Sequence, residues 1–406
     1  MKLFSILFFA AFKLTSLFSQ EHVRVLKIEI DAYPVFQKIN LDKVFNGVTI
    51  TAENEFDFSR VLLFCQSSDS MTFNNDIHAD KIQSNLQIFE ATSQFELKNF
   101  TGSKLTLYFQ YVSTLISLPN TLVNKRANCE MPVGIISQSY WRQGLDAPTP
   151  GREKTKTHHC VIHHSAGGNN VTDYTQLVRS YYVQHTQVNG WDDIAYNYLI
   201  APNGDIYAGR DPEKNDISQD NVLGAHFCSK NANTMGVCLI GDYQNLEPRD
   251  SLLNSLIHLL TWKYTKDTLS PTSETKHPYN TGSLLKALCG HRDGCATECP
   301  GNRVYSKLDS LRTVVLNHYN ACLPFLNSRE NVTKLNTSIL IQNPVSSMFE
   351  LNFRFVTQHL PFRIYTLEGK VVYHTIEPLY CLKSGIYFVQ YHDLNENIVI
   401  EKMIVN

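Results

Sequence analysis

The chain has 406 residues with 36 Lys and Arg against 38 Asp and Glu, which at about 150 residues per domain implies two or three domains at near-zero net charge. With 43% apolar and 18% charged residues it can bury large cores, which excludes a disordered tail or spacer. No Lys/Arg-rich stripe stands out beyond the scattered basic residues of Arg152 to Lys156, so nucleic acid is not an expected partner, and no fixed-period repeat marks a solenoid.

Met1-Lys2 precedes the mostly apolar run Leu3 to Phe12, and Leu17-Phe18-Ser19-Gln20 follows as a cleavage region. Residues 1–19 therefore read as a secretory signal peptide, because Lys13 leaves the apolar run too short for the ~30 Å of a membrane core. No later stretch is apolar enough to span. Leu105 to Leu118 comes closest, but Gln110, Ser113 and Ser117 break it. From residue 20 to 132 short β runs, Val25 to Ile30, Val48 to Thr51, Val61 to Cys65 and Leu105 to Val112, alternate with Asn, Asp, Ser and Gly clusters. That texture predicts an all-β domain of the sandwich kind, and no motif assigns it a role.

Between residues 133 and 326 the pattern becomes that of an α/β fold: a central mixed β-sheet flanked by helices. Thr172 can cap a helix with apolar positions Tyr174, Leu177, Val178 and Tyr181; Leu252, Leu256, Leu259 and Leu260 mark a second, and Leu308, Leu311, Val315 and Tyr319 a third. Strands are expected at Cys160 to His163, Tyr196 to Ile200, Ile206 to Ala208 and Val237 to Ile240, with Asn203-Gly204 turning the middle two into a hairpin. Residues 335–406 return to β runs and form a small β-sandwich domain. Ten cysteines in an exported chain suggest disulfides. If one binds metal and one lies in a removable tail, eight remain for four bridges, whose pairing stays open.

Three ligand-type residues stand out in the middle segment: His163 in Val161-Ile162-His163-His164-Ser165, His291 in Cys289-Gly290-His291-Arg292-Asp293, and Cys299 in Thr297-Glu298-Cys299-Pro300-Gly301. Two imidazoles and one thiolate suit Zn2+ and leave the fourth tetrahedral position for water, the mark of a catalytic site. Taken singly, each has an ordinary reading: a lone His is usually a satisfied core or surface residue, and an exported Cys is more often bridged. Alternation puts Tyr196 on the face of Ile194 and Tyr198, so periodicity does not separate a catalytic tyrosine from a core aromatic.

Further segments accompany these, namely Ile136 to Trp141, Gly190 to Ile200, Asn203 to Arg210, Gly224-Ala225-His226 and Met235-Gly236-Val237. In this order they resemble the peptidoglycan recognition proteins and the related zinc N-acetylmuramoyl-L-alanine amidases. The resemblance implies zinc ligands His163, His291 and Cys299, a catalytic Tyr196, a second catalytic position at Thr297, and substrate-binding His164, His185 and His226. It also implies hydrolysis of the amide between the lactyl group of N-acetylmuramic acid and L-alanine, with peptidoglycan as partner. A non-catalytic peptidoglycan binder is the rival, although members that only bind typically lose the cysteine ligand. Two departures leave the stem-peptide preference open: Gly168 to Asp173 lacks a short-range cysteine pair, and Gly209-Arg210-Asp211-Pro212 lacks a Gly-Trp continuation. No His-Glu-x-x-His helix supplies a carboxylate base, so Tyr196 is expected to orient water or stabilise the oxyanion.

The closing segments Gln342 to Ser346, Phe362 to Val372, Leu382 to Val389 and Glu401 to Val405 resemble the C-terminal sorting domain of the type IX secretion system. This implies export by that machinery to the medium or the outer cell surface.

Overall fold

The computed structural model describes residues 14–19, 22–32, 36–65, 70–76, 81–114, 129–213, 217–277, 284–332, 363–366, 371–374, 385–392 and 398–405. The chain forms two compact units, Met1–Cys322 and Leu323–Asn406. Most of the segment read as a leader lies outside the described residues.

The first unit opens with a seven-stranded sheet made of β1 (Leu14–Ser19), β2 (Val23–Ile30), β3 (Phe36–Thr51), β4 (Val61–Cys65), β5 (Met71–Thr72), β6 (Gln87–Asn99) and β7 (Leu105–Val112). Its order is β1-β2-β7-β3-β6-β4-β5, with every pairing antiparallel. Strand alternation explains its two faces. Leu105, Leu107 and Phe109 of β7 join one core with Val61, Leu63, Phe95 and Leu97. Gln110 and Val112 are also buried, because they meet a helix of the middle segment. The expected sandwich is therefore a single sheet among the described residues, and a helix covers its second face.

After the short α1 (Gln138–Trp141), the middle segment builds a five-stranded sheet from β8 (His159–His164), β9 (Tyr198–Ile200), β10 (Ile206–Ala208), β11 (Thr234–Leu239) and β14 (Leu288–Gly290). The order is β10-β9-β11-β8-β14; β11 is parallel to β8 and β9, β14 is parallel to β8, and only β10 runs against its neighbour. Central parallel strands are covered on both faces, and accordingly every residue of β8 and β11 is buried. The mixed sheet agrees with the sequence reading. Asn203-Gly204 makes the expected turn, Gly204 taking a φ of +97° that favours glycine.

Helices α2 (Tyr174–Val183) and α3 (Asp250–Asp267) start where the periodicity placed them. Asp173 rather than Thr172 caps α2, its carboxylate accepting the Gln176 N–H at 2.9 Å. Nearly all of α2 is buried, not just one stripe, since the front sheet lies on it as well: Leu177, Val178, Tyr181 and Tyr182 share a core with Val23, Val25, Leu86 and Val112. Even Arg179 is fully buried, its guanidinium donating to the carbonyls of Ser113 (3.0 Å), Trp141 (2.7 Å) and Gln143 (2.7 Å). Strands β12 (Glu274–Lys276) and β13 (Leu284–Lys286) form a separate hairpin, and α4 (Asn302–Tyr305) and α5 (Leu308–Val332) follow β14.

Disulfides join Cys129 to Cys322 and Cys228 to Cys295. The expectation of four bridges is corrected, because Cys160, Cys238 and Cys289 are unbridged thiols in the sheet core. Register explains two of these. On neighbouring strands Cys160 faces Leu288 and Cys289 faces Val161, so the two sulfurs lie one residue out of step and on opposite faces. Burial pushes the Cys160 thiol up to about 12.

In the second unit, β15 (Arg363–Thr366), β16 (Val371–His374), β17 (Gly385–His392) and β18 (Ile398–Val405) form one antiparallel sheet of order β16-β15-β17-β18. The second layer of the expected sandwich is not found among the described residues. No helix among them is long and apolar enough to cross a membrane.

Candidate metal centre and its cavity

Strand β8 ends at His163-His164, and the loop after β14 brings two more donors to that end. The donor atoms of His163, His291 and Cys299 all lie within 4.8 Å of one another, with His163 Nδ1 3.7 Å from Cys299 Sγ. All three side chains are buried. Their loop is braced by its own polar groups. Asp293 accepts the Gly290 N–H at 2.8 Å and the Tyr305 hydroxyl at 2.5 Å, and Arg292 lies over the Tyr305 ring while donating to the Glu298 carbonyl. The Cys228–Cys295 disulfide ties the middle of this loop to the segment after His226.

Two imidazoles and one sulfur converging from separate segments fit a three-ligand zinc site with one position left for an exchangeable group. Burial pushes the Cys299 thiol up, while the His164 backbone N–H, 3.4 Å from Sγ, and the Arg292 charge favour the thiolate. A second grouping, Cys228, His291 and Cys295, has both sulfurs committed to the disulfide.

Tyr196 sits just before β9 rather than within it, and next to it the Asn197 side chain accepts the Gly236 N–H (2.8 Å) and donates to the Val222 carbonyl (2.8 Å). The Tyr196 ring centroid is 5.3 Å from that of His163. Burial holds its phenol well above the usual range, so the hydroxyl stays protonated at neutral pH and can donate. The Tyr196 carbonyl accepts the Arg210 N–H at 2.8 Å, and a Cβ at Gly209 would stand 2.0 Å from that oxygen, so only glycine fits there.

A cavity of about 580 Å³ opens beside the trio, within the roughly 300–1,000 Å³ of small-molecule sites, and is lined by Cys299, Tyr196, His164, His185 and Thr297. His164 Nδ1 accepts the Tyr243 N–H at 3.2 Å and lies 3.6 Å from Asp242. His185 stacks on Trp191 and accepts the Ala195 N–H at 3.2 Å. Thr297 Oγ1 accepts the Cys299 N–H at 2.9 Å, which places this residue as a brace for the cysteine loop as well as a wall residue.

His226 is the one predicted groove residue that the structure places elsewhere. It is buried behind His163, with its Nδ1 3.0 Å from His163 Nε2 and its Nε2 3.3 Å from Thr234 Oγ1, and it does not line the cavity. Coordination through His163 Nδ1 requires the proton on Nε2, and His226 Nδ1 is there to accept it. Sequence reasoning missed a further set of wall residues from the front sheet: Asp57, Ser59, Asn74, Asn75, Asp76 and Asn85. In the sequence they read only as polar loop clusters, and no local signal linked them to His163.

Fold and trio define an α/β protein with a three-donor, metal-type site beside a substrate-sized cavity. Residues 153–302 match the N-acetylmuramoyl-L-alanine amidase family, and residues 343–406 match the secretion system C-terminal sorting domain. The chain is 28% identical over 186 residues to peptidoglycan-recognition protein SC2 of Drosophila melanogaster, covering 45% of this chain and 88% of that protein. It is 30% identical over 154 residues to peptidoglycan-recognition protein SC1a/b of Drosophila simulans, covering 37% and 71%. Among solved structures, wild-type Drosophila PGRP-LB matches at 29% identity and a TM-score of 0.35, covering 43% and 92%. The chain belongs to the family of peptidoglycan recognition proteins and type 2 amidases, and it carries a C-terminal type IX secretion sorting domain.

Proposed function

We propose that this protein is an exported zinc-dependent N-acetylmuramoyl-L-alanine amidase that hydrolyses the lactyl-L-alanine amide of peptidoglycan. The observation that supports this reading most is the convergence of His163, His291 and Cys299 within 4.8 Å, with Tyr196 on the wall of the same cavity. A zinc ion held by these residues supplies Lewis acidity and lowers the pKa of bound water toward roughly 7. Tyr196, kept protonated by burial, donates a hydrogen bond to the oxygen that gains charge as the amide carbonyl is attacked. His226 orients the His163 ring, Thr297 holds the Cys299 backbone, and His164 and His185 contact the muramyl peptide.

The domain scheme belongs to the same proposal: a leader over 1–19, a β domain over 20–132, the amidase over 133–326 and a sorting domain over 335–406. Cleavage after residue 19 removes β1 and leaves β2 as the sheet edge. The sorting domain supports delivery by the type IX machinery to the medium or outer surface. A binder that does not cut is the second reading, favoured by the recognition-protein names of the relatives; the retained Cys299 and Tyr196 weigh against it.

The test is mass spectrometry of purified peptidoglycan after incubation with the mature protein, with and without a zinc chelator. Stem peptides with free N-terminal L-alanine, formed only without chelator, are the expected result. A wall that is bound yet uncut by protein carrying one zinc per chain would overturn the amidase reading and leave the binder.

A further inference from the structure

The amidase match spans residues 153–302, yet part of the cavity wall comes from the front sheet, far outside that range. Asp57 and Ser59 stand on the turn before β4, and Asn74, Asn75 and Asp76 follow β5. The side chains of Asp57, Ser59, Asn74 and Asn75 are exposed, while Phe58 and Phe73, next to them in sequence, are buried in the front core. Phe58 and Phe73 also reach the cavity, so this wall presents short polar groups beside two aromatic side chains.

This wall is fixed to the catalytic segment by buried and partly buried hydrogen bonds. Asn85 accepts the Asn74 N–H at 3.0 Å and donates from Nδ2 to the Ala166 carbonyl at 2.9 Å, three residues past His163. The Asn85 N–H donates to the Asn74 carbonyl at 2.8 Å. Farther along, Thr49 Oγ1 donates to Gln184 Oε1 at 2.7 Å, next to His185, and Gln110 Nε2 donates to the Ser180 carbonyl at 3.2 Å. With Leu86 and Val112 packed among the α2 side chains, the front sheet is held in place by shared core as well as by these bonds.

We propose that the turns at residues 57–59 and 74–76 form a substrate subsite of the amidase cavity, taking neutral hydroxyl and amide groups of the muramyl peptide. Asparagine offers both a donor and an acceptor, and serine hydroxyl and aspartate carboxylate add acceptors, the complement that sugar hydroxyls, acetamido groups and peptide amides require. Asp57 and Asp76 add negative charge to this wall, which opposes a substrate carboxylate there. The front sheet is thus a part of the binding site instead of a separate accessory module. Asn85 is a positioning residue that keeps Asn74 against the Ala166 loop.

The proposal rests on the amidase reading, and its test separates the two. Asn74→Ala/Asn75→Ala and Asp76→Ala variants of the full chain would be assayed beside wild type for zinc content, thermal midpoint, muropeptide Kd, KM and kcat. Losing these contacts should raise KM and Kd about tenfold with kcat within about twofold, since groups that hold ground state and transition state alike act on KM. Zinc content and thermal midpoint should match wild type. Two substrates locate the contact: a defect on a disaccharide peptide that disappears on the same peptide carrying only N-acetylmuramic acid assigns the wall to the second sugar, and a defect on both assigns it to the shared N-acetylmuramyl peptide. KM and Kd within twofold of wild type on both substrates would overturn the subsite. Should wild type bind zinc and muropeptide but cut nothing, the amidase reading falls, and the subsite is decided on Kd alone by the same tenfold criterion.

Discussion

Tyr196→Phe removes one hydroxyl from the cavity wall and leaves the ring packed beside His163. It should keep one zinc per chain and lower kcat on the order of 100-fold, the usual loss for a donor to a developing oxyanion. Metal analysis alongside steady-state rates checks this, and normal turnover would remove Tyr196 from the chemistry. His226→Ala tests a different role. The imidazole meets His163 Nε2 rather than the cavity, so its loss should weaken zinc binding by roughly 10–100-fold, read by competition with a chromophoric chelator. At this scale the three donors were legible only together with the accompanying segments that carry the family resemblance, since each alone has an ordinary reading. The position of His226 was not, since a histidine that touches substrate and one that supports a ligand look the same in sequence.

The elements that carry these side chains depend on close approaches that few residues permit. Gly209 lets the end of β10 pass the Tyr196 carbonyl, and Gly209→Ala would drive a Cβ to 2.0 Å from that oxygen. The substitution should cost on the order of 3 kcal/mol, the upper end of overpacking penalties, and displace Tyr196. Urea unfolding reads the first effect and loss of amidase rate the second; wild-type values in both would show that the strand end relaxes at no cost. Helices were legible from their periodicity, and the Asn203-Gly204 hairpin from its turn residues. The cap shifted from Thr172 to Asp173, since both residue types cap helices and only the folded chain shows which side chain meets the Gln176 N–H. The full burial of α2 was not legible either. Its outward face contacts β7, which lies more than sixty residues earlier in the chain.

Across the whole molecule, buried and half-buried histidines make stability depend on pH. Burial holds the imidazoles of His159, His258 and His277 below their usual value, against smaller opposing contributions from backbone carbonyls. A depressed folded value means that unfolding takes up protons at acid pH, so stability is complete above about 6.5 and falls as pH drops below it. The thermal midpoint should therefore decline as pH falls below about 6.5, and His159→Gln should flatten part of that decline. A midpoint that holds constant across this window would contradict the assignment. The sequence by itself determined the α/β class of the middle segment, the family and the sorting tail, and it singled out the three donors that the fold brings together, because periodicity and short motifs are local properties of a chain. Tertiary structure alone decided which cysteines pair, where His226 points, and that the front sheet shares a core and a cavity wall with the middle segment. Those outcomes depend on strand register and on packing between residues far apart in sequence, where no local pattern records the partner.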